Sequence, residues 1–171
     1  MKKMFLSLLI VMAGMTTAQA QKFALIDMEF ILKQIPLYEQ ANKQIENLSK
    51  QRQNEVEAKS EEAKALYETY QKTAQTMSSG QRTAKEEEII AKEKEVAELR
   101  QTYFGPQGEV MKKRQELIAP IEDAIYKAVK EIAVQKGYDA VIDRASSQSM
   151  VFASPRIDIS NEVLMKLGYS K

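Results

Sequence analysis

Between Pro36 and Gly137 the sequence alternates charged, Ala and Gln residues with a thin series of apolar ones, broken once at Ser78-Ser79-Gly80. After the break the apolar positions recur at strict sevens: Ile89, Val96, Tyr103, Val110 and Leu117. Before it the spacing is looser, at threes and fours: Ile35, Tyr38, Ile45, Leu48, Val56, Ala63, Leu66, Tyr70 and Met77. Arg52 and Lys59 fall where apolar residues would continue that first series. Sevens in a charged background mark a narrow seam between two helices and not the broad face of a globular-core helix. The pattern predicts an antiparallel helical hairpin, each arm of roughly 40 residues reaching about 60 Å. Its tip lies near residues 78–80, with Gly80 supplying a left-handed residue and Thr83 with Glu86 forming a capping box for the second arm.

Two irregularities interrupt the second arm. Tyr103-Phe104-Gly105-Pro106-Gln107-Gly108 places a proline between two glycines beside two aromatic rings. Proline removes a helical hydrogen bond and crowds the preceding turn, so Gly105, Pro106 and Gly108 form a candidate hinge. A kink is the simpler form of it and a full break the alternative. Pro120 is the second irregularity, and beyond it Ile121, Ile125, Val129, Ile132 and Ala133 are dense enough to enter a packed body.

The ends of the chain supply that body. Lys22–Met28 reads as a short buried strand, Asp27 as the N-cap of a helical turn, and Pro36 as the start of the first arm. Gly137 ends the second arm. Tyr138–Arg144 then reads as a strand, Gln148–Ala153 as its antiparallel hairpin partner, and Arg156–Ile159 as a short extended piece. Ser160 is read as the cap of a last helix closed by Gly168. Leu25, Ile26, Val141, Ile142, Val151 and Phe152 are the candidate residues of the body's core and of its contacts with other copies. A body of this size is marginal as an independent core. Oligomerisation would complete it and cover its strand edges. The fold class is therefore α+β, mostly α. It comprises a body segment at 21–35, a hairpin arm at 36–118 and the remaining body at 119–171.

Composition narrows the function. Lys2 and Lys3, the apolar run Met4–Met12 and Ala18-Gln19-Ala20 form the pattern of a cleavable secretory signal peptide over residues 1–20, leaving a mature chain from Gln21. Removing those two lysines leaves 23 basic against 24 acidic residues, a balance unlike that of a general nucleic-acid binder. There is no cysteine and no histidine. The usual thiol nucleophile, the commonest general base and most zinc sites are thus excluded. No catalytic residue, metal or cofactor is expected. The bulky side chains on the arms are candidates for binding another protein: Tyr67, Tyr70 and Met77 on the first arm, and Tyr103, Phe104 and Met111 on the second. Met and aromatic groups suit a surface that must accept many sequences. Tyr70 and Tyr103 lie in the seam, where packing one arm on the other is the simpler role.

Taken in order, several strings resemble the Skp/OmpH family of periplasmic chaperones. They are Phe23-Ala24-Leu25-Ile26-Asp27 through Ile31-Leu32, the charged hairpin, Leu117–Ile121, Gly137–Asp143 and Asp158–Leu164. The resemblance spans essentially the whole mature chain. It implies a homotrimer whose small bodies form an intersubunit β-barrel, with three hairpins projecting around a cavity. It also implies an ATP-independent holdase for unfolded outer-membrane proteins in the periplasm. Well-known members are strongly basic and engage lipopolysaccharide and anionic membrane. This chain departs from them, with 11 basic and 11 acidic residues from Arg82 to Lys136, and no lipid site is assigned. A structural coiled-coil adaptor, docking its hairpin tip on a cell-envelope partner, is the alternative.

Overall fold

The computed structural model describes residues 21–147 and 149–169. The signal-peptide reading of residues 1–20 lies outside these. The chain opens with strand β1 (Phe23–Ile26) and the short helix α1 (Met28–Lys33). Asp27 caps α1 as expected, its carboxylate accepting from the Phe30 N–H at 2.8 Å. Helix α2 (Pro36–Thr73) begins with its proline in the first turn, where the missing N–H has no helical partner to lose. Its 38 residues make it about 57 Å long.

At the tip α2 tightens into a 3₁₀ turn, Ala74–Thr76, and Met77 and Ser78 are extended. Helix α3 (Ser79–Phe104) then starts one turn earlier than the sequence suggested. Ser78 and Gln81 form the capping box: the Gln81 N–H donates to Ser78 Oγ, and Gln81 Oε1 accepts from the Ser78 N–H at 2.9 Å. Gly80 lies inside the helix with an ordinary φ, and the Thr83 hydroxyl donates back to the Ser79 carbonyl. The Thr83–Glu86 box is thus replaced by an equivalent serine–glutamine pair that satisfies the helix end sooner.

The candidate hinge is a full break. Helix α3 ends at Phe104, and α4 (Glu109–Lys136) begins after four residues. The Gly108 N–H donates to the Gly105 carbonyl at 2.8 Å and closes a tight turn. A Cβ on Gly105 would stand 2.4 Å from the Gln101 carbonyl oxygen, and one on Gly108 would stand 2.7 Å from the Tyr103 carbonyl. Both positions therefore exclude side chains by close backbone approach. Pro120, by contrast, does not interrupt α4. It and Glu116 are exposed, so water can serve the carbonyl that the proline leaves unpaired. Gly137 ends α4 in the left-handed conformation, at φ 68°.

Strand β2 (Ala140–Asp143) pairs in parallel with β1, Leu25 opposite Ile142. The expected antiparallel hairpin with residues 148–153 does not form, since residues 149–153 carry no strand. The chain turns instead on Asp143, whose carboxylate accepts from the Ala145 and Met28 N–H groups and whose carbonyl accepts from the Ser146 and Ser147 hydroxyls. Arg144 reaches back to Asp27 at 2.9 Å and Asp158 at 3.4 Å, holding this turn to the far end of β1. The expected extended piece at 156–159 is partly a 3₁₀ turn, Pro155–Ile157, after which Asp158 bridges Leu25. In helix α5 (Ser160–Lys166), Ser160 sits inside the first turn. Its hydroxyl accepts from the Asp27 N–H at 2.8 Å and donates to Asp158, so it ties β1 to α5 and does not cap the helix.

The body's core gathers Ala24, Ile26, Ile31, Ile35, Ile125, Ile132, Ile159 and Val163 from β1, α1, the α2 start, α4 and α5. Ile31, Ile125 and Val163 are its most fully enclosed large side chains. The arm is held differently, by two small clusters: Ala41, Ile45 and Ile118 near the root, and Val56, Val96 and Tyr103 further out.

Candidate functional site

The six residues expected to bind another chain lie on the arm, and the structure divides them. Tyr103 is only 9% exposed and belongs to the seam with Val56 and Val96. Its hydroxyl donates to Glu55 at 2.8 Å, and that acceptor raises the tyrosine's pKa. Tyr70 is half-buried, and its hydroxyl donates across the arm to Glu86, which likewise raises its pKa. These two rings join arm to arm. Tyr67, Phe104 and Met111 are exposed, and Met77 is half-buried at the tip. Tyr67 lines an open groove of about 330 Å³ with Ala63, Lys64, Glu93, Val96 and Arg100. Phe104 stands edge-on to Tyr103, with ring centroids 6.4 Å apart, beside the break. The available apolar side chains are therefore separate points along a mixed-charge rod, not one pocket.

Sequence reasoning missed what Arg52 and Lys59 do. Arg52 takes the seam position opposite the break. Its Nε and Nη2 donate to the two oxygens of Glu109 at 2.8 and 2.7 Å, and Nη1 donates to Glu55 at 3.0 Å. Its guanidinium carbon lies 4.7 Å from the Tyr103 ring centroid. The pair with Arg52 holds the Glu109 carboxyl below its ordinary pKa. One heptad further out, Lys59 pairs with Glu62 and approaches Glu95, while Lys92 pairs with Glu95 and approaches Glu62. Glu95 is held below its ordinary pKa first by Lys92, and Lys59 above its own first by Glu62. The available signal was the heptad spacing Ile45, Arg52, Lys59 with acids on the facing arm. Two basic residues in an apolar register read as dilution, whereas they are cross-arm ties.

On the body, the strand pairing separates two faces. Ala24 and Ile26 face the core with half-buried Val141 packed beside them. Phe23, Leu25, Ala140 and Ile142 share the opposite face, because residues paired in register point the same way. Phe23 is 44% and Ile142 39% exposed, whereas Leu25 is buried. Val151 and Phe152 are fully and 84% exposed, respectively. Of the six candidate body residues, Leu25, Ile26 and Val141 thus pack within this chain, while Ile142, Val151 and Phe152 lie outside its core.

The sequence profile of the OmpH-like outer membrane protein family matches residues 22–167. This chain belongs to that family. An OmpH-like protein from Caulobacter crescentus CB15, described as a candidate outer membrane chaperone, has a similar solved structure. The TM-score is 0.63 at 12% identity, over 90% of this chain and 88% of that one, a likeness of fold. No curated protein matches significantly. Among the described residues of this OmpH-like chain, no helix is long and apolar enough to cross a membrane.

Proposed function

We propose that this OmpH-like protein is an ATP-independent periplasmic holdase that binds unfolded outer-membrane proteins between helical arms and prevents their aggregation. The observation that carries the reading is the pairing of a family-wide match with an arm whose adaptable apolar groups stay outside its seam. Tyr67, Phe104 and Met111 are exposed and spaced along a mixed-charge surface. Contacts of that kind are individually weak and numerous, so a client is held without a fixed geometry and released without fuel. No step of this function needs a catalytic group, a metal or a cofactor.

The working form is a homotrimer joined through the body. Support comes from the outward sheet face of Phe23 and Ile142, the outer edge of β2, which is unpaired among the described residues, and the exposed pair Val151–Phe152. Large apolar side chains exposed on so small a body suit an interface, and strand edges are blunted when another copy pairs with them.

Sedimentation velocity on residues 21–171, alone and with a urea-unfolded outer-membrane β-barrel protein, tests both parts. A free species of three times the subunit mass that forms a discrete soluble complex with the client is expected. A monomer or dimer, or a trimer beside which the client still aggregates, overturns the reading in favour of an adaptor docking through its tip.

A further inference from the structure

The break between α3 and α4 leaves α2 as the one helix that runs unbroken past it. A break of this kind would ordinarily be the loosest point of the arm, because backbone hydrogen bonding along the second arm is interrupted there. Yet it is where side chains from three helices converge. Arg52 and Glu55 come from α2, Tyr103 from the last turn of α3, and Glu109 from the first residue of α4. Arg52 binds Glu109 through two parallel N–H···O bonds, binds Glu55 through a third, and covers the face of Tyr103. Tyr103 closes the circuit through its hydroxyl to Glu55. A bidentate guanidinium–carboxylate pair fixes orientation as well as distance, so it resists the rotation of α4 against α3 that the break would otherwise allow.

We infer that Arg52 is the bolt of a charge-operated latch at the arm's articulation: engaged with Glu109 and Tyr103 it holds the two segments of the second arm in line, and disengaged it lets the outer arm swing. The glycine turn gives the path of the motion, and Arg52 sets how often it is taken. The latch groups are partly solvent-exposed, with Arg52 at 31%, Glu109 at 39% and Glu55 at 43% of the side chain. Its strength therefore falls as salt screens it. The latch is a property of the free arm and stands apart from any client that the arm holds.

The absence of native cysteine allows a direct test. Spin labels placed at Arg82→Cys near the tip and Lys130→Cys in the body, both exposed, report the tip-to-body distance, with labelled subunits diluted in unlabelled ones so that pairs are intrachain. In low salt the distribution is narrow for the latched protein. It roughly doubles in width in Arg52→Gln or in about 1 M NaCl, where the screening length is about 3 Å. Salt has no further effect on the variant. Glu109→Gln removes one charge with little change of shape, and it reports the same broadening if Arg52→Gln loses helix content by circular dichroism. Equal widths in the parent, Glu109→Gln and high salt would overturn the inference, showing that the glycine turn alone fixes the arm.

Discussion

The body and the arm of this chain are built from similar numbers of residues by opposite means. In the body, five elements turn their apolar faces on one another, and Ile31, Ile125 and Val163 are almost wholly removed from water. In the arm, apolar contact is rationed to one residue per heptad, and the gaps hold Arg52 with Glu109 and Lys59 with Glu95. A packed core unfolds as a unit, whereas a seam of separated contacts opens piece by piece. The contrast suits the proposed function, in which the body joins copies of itself while the arms accommodate chains of no fixed shape.

The largest effect expected is at the body's exposed face. Ile142→Asp leaves the isolated subunit folded, because Ile142 lies outside the core. In the proposed trimer the new carboxylate would be buried without a partner at about 3–5 kcal/mol per subunit, and sedimentation should show monomers. A trimer of unchanged mass would remove β2 from the interface. Next comes Ile125→Ala, which opens a cavity in the core and should lower the stability of the whole body by about 2–5 kcal/mol in denaturant titration. Val96→Ala in the arm removes roughly 1.5 kcal/mol of apolar burial. Hydrogen exchange should quicken only around residues 56, 96 and 103, and faster exchange throughout the body would mean that the two regions are one cooperative unit.

Asp27→Ala probes the network joining β1, α1 and Arg144. Loss of the cap should cost about 1–2 kcal/mol, read as a lower thermal midpoint. Acid acts in the same direction and more weakly. Asp27 is held below its ordinary pKa first by the Phe30 N–H and then by Arg144; Glu109 and Glu95 are lowered by Arg52 and Lys92. A carboxyl depressed in the folded state contributes stability that is present above its unfolded pKa and lost as pH falls through the folded one. The thermal midpoint should therefore decline below about pH 4. Asp27→Ala should flatten the body's share of that decline.

Much of the helical framework was legible because its signals are local. Pro36 in the first turn, Asp27 as a cap, Gly137 in the left-handed region and the sevens through Ile89, Val96 and Tyr103 each act within a turn or a heptad. The body was less so. Parallel pairing of Leu25 with Ile142 joins positions more than a hundred residues apart and leaves no local mark. A neighbouring hairpin was thus the natural but wrong expectation for residues 148–153. Pro120 reads as a breaker from its chemistry, yet an exposed position lets the helix continue through it. On the arm, Tyr67, Phe104 and Met111 could be named from their residue type, but their separation from Tyr70 and Tyr103 depends on which side of the seam each falls. That distinction is set by the packing of the two arms and not by residue type.

The division of labour between body and arm is tested most directly by hydrogen exchange on the protein with and without an unfolded outer-membrane protein. Protection gained in segments containing Tyr67, Phe104 and Met111, with exchange at Ile125 and Ile142 unchanged, is the predicted result. Protection gained in the body, or nowhere, would contradict the account.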